Sequence, residues 1–208
     1  MKLLPTLRSL AADLDALPLS PTRHGLLSDV ARAVVEDLRD RGASTLTFIC
    51  THNSRRSHLA QVLCATAAVH HGMVGIVCCS GGTEATACNE RTVAALQRAG
   101  FPVTRAGEGD NPVYAIGCAE GVSPLRAWSK VYHADGNPAS GYLAVMTCTH
   151  ADENCPVVMG ARHRFSLPYR DPKESDETPL EAATYDERLR EIGAEMFHLM
   201  RRVREEIG

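Results

Sequence analysis

No stretch of this chain of 208 residues holds the roughly 18 consecutive apolar residues that a membrane span requires, which argues against a helical membrane protein. Basic residues are not massed either. The 22 Lys and Arg stand against 25 Asp and Glu, a formal charge of −3, with no basic stripe or DNA-reading helix to suit nucleic acid. The N-terminus lacks a secretory pattern, because Pro5, Arg8, Asp13 and Asp15 interrupt its apolar residues. Repeats and low-complexity tracts are also lacking. These absences predict a cytoplasmic protein with neither membrane nor nucleic-acid partners. In such a compartment eight cysteines read as reduced core thiols plus catalytic ones, not as a disulfide framework.

What is present is an alternation of helix and strand. Residues 5–17 carry Leu7, Leu10, Leu14 and Leu17 at helical spacing, and Ser20-Pro21 is a helix start followed by an apolar stripe that ends at Gly42. Residues 1–43 therefore read as an N-terminal helical extension, and residues 44–208 as the catalytic domain. Strands read at 45–49, 74–79, 142–146 and 164–167 alternate with helical stretches that begin near Arg56 and Asn89 and close at 179–207. This predicts an α/β fold, a parallel four-stranded sheet with helices on both faces. Ligands of such sheets sit at the carboxyl ends of the strands, where Cys50, Ser80 and Cys148 fall. Between about 105 and 140 glycine and proline loosen the pattern; the segment reads as an insertion, with Val113–Ile116 and Trp128–Tyr132 pairing as a hairpin.

The strongest chemical signal is Cys50-Thr51-His52-Asn53-Ser54-Arg55-Arg56-Ser57, directly after an apolar strand. A loop that closes onto a helix N-terminus gathers unpaired N–H groups and the positive end of the helix dipole. Successive amides from Thr51 to Arg56 can form a nest for three anionic oxygens, with a thiolate of Cys50 at its floor. Arg56 brings a planar fork suited to phosphate or arsenate, and the Ser57 hydroxyl can bond the thiolate. The bland alternative is a buried cysteine ending a core strand.

A second pair, Cys148 and Cys155, is separated by six residues and follows another strand end. Three readings stand beside one another: chance; a zinc site from Cys148, His150 and Cys155 that lacks a clear fourth ligand; and a redox relay through a segment able to loop out. Cys64 and Cys78-Cys79 read as core thiols. His58 reads as lining the pocket mouth, and His70-His71 as helping to end a helix.

Taken together, Cys50-x5-Arg56-Ser57, Ser80-Gly81-Gly82, Cys148-x6-Cys155-Pro156 and Asp171-Pro172 resemble the thioredoxin-coupled arsenate reductases, which share the fold of the low-molecular-weight protein tyrosine phosphatases. The resemblance runs from residue 45 to about 200, apart from the insertion. It implies that Cys50 attacks arsenate held by the loop and Arg56, that Asp171 protonates the departing oxygen, and that oxidation passes from Cys50 to Cys148 to Cys155 for thioredoxin to reverse. It implies no tightly bound cofactor. Two departures stand out. His52 replaces a common glycine, which predicts a strained positive φ there. Gln61 replaces a glutamate that elsewhere helps Asn53 and Ser80 hold potassium, so at most a weak monovalent cation site remains. The competing functions are a tyrosine or small phosphomonoester phosphatase using Cys50, Arg56 and Asp171, and a non-catalytic arsenic or redox sensor.

Overall fold

The computed structural model describes residues 1–208. A short 3-10 turn leads into α1 (Arg8–Asp15), and α2 spans Pro21–Arg41. The Ser20 side chain accepts the Arg23 N–H to start α2, and Gly42 at φ 71° ends it, as the sequence predicts. Next come β1 (Ser44–Cys50), α3 (Arg56–His70), β2 (Ile76–Gly82) and α4 (Glu90–Arg98). Three short strands follow: β3 (Val103–Ala106), β4 (Val113–Ile116) and β5 (Leu125–Ala127). The chain closes with β6 (Tyr142–Met146), α5 (Thr149–Asn154), β7 (Ala161–Ser166) and α6 (Glu181–Ile207). No helix is long and apolar enough to cross a membrane.

The main sheet is four-stranded and parallel throughout, in the order β2-β1-β6-β7, and helices flank it. The two central strands alternate between two cores, as a strand period of two requires. Leu46, Phe48, Leu143 and Val145 enter the larger core with Leu59, Leu63 and Phe197. Ile49, Tyr142, Ala144 and Met146 enter a smaller one with Cys50, Cys148 and Ala151 of α5. The N-terminal segment is built into the larger core: Leu7, Leu14, Leu27, Val30 and Val34 are buried in it. A Cβ on Gly193 of α6 would lie 2.7 Å from Leu14 Cδ1, so α1 and α6 approach closely there. At the end of α1, Asp15 lies 3.3 Å from His71 Nε2 and accepts from Arg201, tying the extension to α3 and α6. The ion pair in this clasp is that of Arg201 with Asp15.

The insertion departs from expectation. It is a three-stranded antiparallel sheet, β3-β4-β5, and the partner of Val113–Ile116 is Leu125–Ala127, not Trp128–Tyr132. Residues 130–132 instead run beside the end of β2, with Gly82 N–H donating to Lys130 O and Tyr132 N–H to Gly82 O. Glycine makes this approach possible, since a Cβ on Gly81 would lie 2.3 Å from Tyr132 Cα. An edge strand offering unpaired groups competed better for that apolar run than the hairpin did.

Candidate active site

In an open parallel sheet the ligand crevice lies where neighbouring connections leave in opposite directions. Here the chain leaves β1 toward β2 on one side, and β6 lies on the other. Cys50 ends β1, and Cys148 follows β6 by two residues, so this switch point brings both sulfurs into the same small core.

The loop between β1 and α3 is fixed by its carbonyls. Cys50 O accepts from Thr83 N–H, Thr51 O from Glu84 N–H, His52 O from the Ser129 hydroxyl, and Ser54 O from Asn89 N–H. In a trans peptide the following N–H points opposite the carbonyl. Tying these four carbonyls outward therefore turns the amides of Thr51, His52, Asn53 and Arg55 toward the loop's centre. No side chain caps α3 at Arg55, which leaves the first-turn amides for an anion. Gly82 is needed for closure, because a Cβ would lie 2.2 Å from Glu84 O and 2.6 Å from Thr51 O.

The left-handed residue of the loop is Asn53, at φ 46°, not His52. Asparagine tolerates that region, so the strain expected of His52 does not arise. Asn53 also orients the hydroxyl that lies beside Cys50. Its Nδ2 donates to Ser57 Oγ at 2.9 Å, while Ser57 Oγ lies 3.1 Å from Cys50 Sγ. With one lone pair of the hydroxyl taken by Asn53, its hydrogen is left for the sulfur, where it stabilises a thiolate.

Arg56 donates from Nη1 to Tyr169 O at 3.0 Å and from Nη2 to Asp171 Oδ2 at 2.5 Å, while its Nε is buried without a partner. A guanidinium does not leave a buried N–H unpaired without cost. An oxyanion in the loop would supply the acceptor. Asp171 Oδ1 accepts from Lys173 N–H and so starts a 3-10 turn at Pro172.

Two predicted anion-loop side chains point elsewhere. Arg55 donates to Tyr185 OH and Asp176, and His52 lies half-exposed 3.7 Å from Glu84. Their contribution to the cradle is backbone only. Thr51 does more than its position suggested: its Oγ1 lies 3.5 Å from Cys148 Sγ and 3.2 Å from His150 Nδ1. Cys148 is 1 % exposed and caps α5, its Sγ accepting from Ala151 N–H. Cys155 ends α5, half-buried, and its Sγ donates to Val157 O. Arg164 clamps the helix from β7, donating to Asp152 Oδ1 and to Cys155 O, and Ser166 Oγ donates to Asp152 Oδ2. Sequence patterning had no signal for that clamp.

The oxygens considered for potassium are engaged within the protein. Asn53 Oδ1 accepts from Lys130 N–H, and Ser80 Oγ donates to Gln61 Oε1. His58 does not line the pocket mouth; it is buried, 3.2 Å from Ser80 Oγ, and burial pushes its pKa down to about 3. Burial also pushes the thiols of Cys79 and Cys88 up, to about 11 and about 12, and raises that of Cys118. A hydrogen bond with Cys64, together with burial, raises Cys78. These are inert protonated thiols. Beside the loop a cleft of about 590 Å³ opens between α4 and the small sheet, where Arg91, Arg105 and Lys173 join His52 and Ser54.

Part of the chain matches a family of known proteins, and a solved structure shares its fold. Residues 45–109, which carry the loop and the first two strands of the main sheet, match the family described as low molecular weight phosphotyrosine protein phosphatase. The low molecular weight protein tyrosine phosphatase of T. tengcongensis superposes with a TM-score of 0.50 at 14% identity, covering 79% of this chain and 99% of that one. The arsenate reductase of Archaeoglobus fulgidus gives 0.46 at 18% identity, covering 74% and 98%. A low molecular weight phosphotyrosine phosphatase of Vibrio cholerae gives 0.48 at 12% identity, covering 74% and 92%. No curated protein sequence matches the chain. At these identities the likeness is one of fold, and the fold is that of the low-molecular-weight phosphatases.

Proposed function

We propose that this chain reduces arsenate to arsenite by a cysteine relay regenerated by thioredoxin. The supporting observation is the placement of Cys148, buried at the switch point and in contact with Thr51 of the anion loop. A hydrolase has no use for a second thiol there.

Arsenate enters the amide nest and takes the Arg56 fork, which frees Asp171. The Cys50 thiolate attacks arsenic, and an arsenate oxygen leaves as water with a proton from Asp171. Cys148, as a thiolate, then attacks Cys50 Sγ. The sulfur–arsenic bond breaks with its electron pair going to arsenic, so As(V) becomes As(III) and a Cys50–Cys148 disulfide remains. Cys155 attacks Cys148 and expels the Cys50 thiolate, leaving a Cys148–Cys155 disulfide that the thioredoxin dithiol reduces. This last exchange requires α5 to unwind. Six helical residues hold the flanking Cα atoms about 10 Å apart, beyond the roughly 7 Å limit for a disulfide.

A phosphatase is the second reading, favoured by the Arg56–Asp171 pair and by the cleft beside the loop, lined by His52, Ser54 and Arg55, which could take the organic part of a phosphoester. The test is thioredoxin-coupled arsenate turnover in Cys50→Ser, Cys148→Ser and Cys155→Ser, with aryl phosphate hydrolysis alongside. Cys50→Ser abolishes both activities. Cys148→Ser and Cys155→Ser lose multiple-turnover reduction and keep hydrolysis. Full arsenate turnover in both resolving variants would refute the relay.

A further inference from the structure

We infer that Arg23, in the N-terminal helical segment, is a positioning residue that sets Arg56 and the Asp171 loop for oxyanion binding through Glu195 and Tyr169. This rests on the oxyanion-site reading and gives the extension a part in it.

Arg23 of α2 grips Glu195 of α6 with both ends of its fork, Nε to Oε1 and Nη2 to Oε2, each at 2.6 Å. Its Nη1 donates to Pro168 O at 3.3 Å. The Tyr169 hydroxyl donates to Glu195 Oε2 at 2.6 Å, and the guanidinium lies 4.9 Å from the centre of the Tyr169 ring. Burial and the neighbouring Glu195 push the Tyr169 phenol well above its usual range, so it remains a donor. The carbonyl of that same Tyr169 accepts from Arg56 Nη1.

Two consecutive carbonyls, Pro168 O and Tyr169 O, are thus held by two arginines, one from the extension and one from the anion loop. Two further anchors are between backbone groups: Leu167 N–H to Met146 O and Tyr169 N–H to Thr147 O. They fix the height of the loop over β6. The Tyr169 ring and its partners fix its rotation, and with it the direction of Tyr169 O and the path of the chain to Asp171. A guanidinium aimed by a carbonyl is pre-organised for its anion, and aim is where small displacements cost most. Glu195 is 2 % exposed, so its charge must stay paired for the arrangement to persist.

The test uses inorganic phosphate as a redox-inert probe. It follows protection of Cys50 from iodoacetamide, quantified on the Cys50 peptide by mass spectrometry, in the full-length protein. Tyr169→Phe keeps the Arg23–Glu195 pair and the fold while cutting the link. The double variant Arg23→Gln/Glu195→Gln removes both charges together, so that neither is left stranded. Both weaken phosphate protection about tenfold, and Arg23→Lys falls between them and the parent. A merely structural role would lower the melting temperature and leave the protection constant unchanged. That result in both variants, beside saturable protection in the parent, overturns the inference alone. Absence of saturable protection in the parent overturns the oxyanion site, and this inference with it.

Discussion

Two neighbouring strands of the sheet end in the same way, with a buried cysteine followed by a helix, yet the two helices are held very differently. Cys50 is separated from α3 by a loop whose carbonyls are tied on every side, and most of α3 from Ser57 to Val69 is buried. Cys148 is itself the cap of α5, which has six residues and buries one of them, Ala151. A helix of that length has no stability of its own in water. It stands because Cys148 caps one end and Arg164 clamps the other. The first cysteine sits in a rigid mould, which anion recognition requires. The second begins a segment that can be undone, which the proposed disulfide transfer requires. One local pattern gives a firmly held end in one strand and a lightly held one in the other because its tertiary partners differ.

The severest way to break this contrast is to destroy the mould. In Gly82→Ala the new Cβ meets the carbonyls of Glu84 and Thr51, and backbone cannot yield as a flexible side chain can. We expect a stability loss of about 2–4 kcal/mol by chemical denaturation. Aryl phosphate hydrolysis should fall at least about 100-fold, because a displaced Thr51 opens the amide nest. Unchanged hydrolysis would mean that the loop is not the mould described.

How far these features could be read from the chain follows the same division. The loop, its flanking strand and helix, and the caps Ser20, Gly42 and Asn89 are local in sequence, and local chemistry announces them. The small sheet was misjudged because its strands have three or four residues, too few for a period to show, and because Gly81-Gly82 drew residues 130–132 away. The positive φ fell on Asn53 because that side chain must reach both Ser57 and the Lys130 amide. Arg23 and Glu195 lie 172 positions apart. Nothing in the sequence pattern of either helix pointed to the other.

Acid attacks the mould side of the contrast. His58 sits under the loop on α3 and is neutral in the folded protein, its pKa pushed down by burial to about 3, with Lys130 adding to the effect. The unfolded chain takes up a proton near pH 6.5 that the native state refuses, so stability must fall as pH drops from about 6.5 toward 3. The contribution of His58 is on the order of a few kcal/mol at the acid end. Burial lowers His198 as well, in the same direction. His58→Asn therefore flattens the denaturation-midpoint curve between pH 6.5 and 4 without abolishing its slope. A parallel curve would remove His58 from the account.

The relay side can be sharpened without touching the mould. Arg164→Met removes the clamp on Asp152 and Cys155, two charge-assisted contacts that are partly exposed, and costs α5 about 1 kcal/mol. Amide exchange within residues 149–155 should rise roughly five-fold, and the Cys148–Cys155 disulfide should form faster. Aryl phosphate hydrolysis should stay within about two-fold, since Arg164 touches nothing in the anion loop. Slower exchange would show that the clamp is not what restrains the helix.

The smallest effect concerns Lys130, whose backbone N–H supports Asn53 but whose ammonium is buried at the rear of the mould. It lies 4.1 Å from the centre of the Trp128 ring and close to the thiols of Cys79 and Cys88, with no carboxylate pairing it. Burial lowers its pKa to about 8. Between pH 8 and the unfolded value near 10.4 the unfolded chain holds more protons than the native state, so stability rises with pH across that window. Below pH 8 both states are charged, and the native state carries the full burial penalty, offset in part by the ring. Lys130→Met keeps the stem and the backbone contact and discards the charge. It should raise stability at pH 7 by about 0.5–1 kcal/mol, a shift of a few degrees in melting temperature, and the gain over the parent should shrink toward pH 10. A loss of stability at pH 7 would mean that the cation–ring contact outweighs desolvation, and that this charge helps to hold the mould it lies behind.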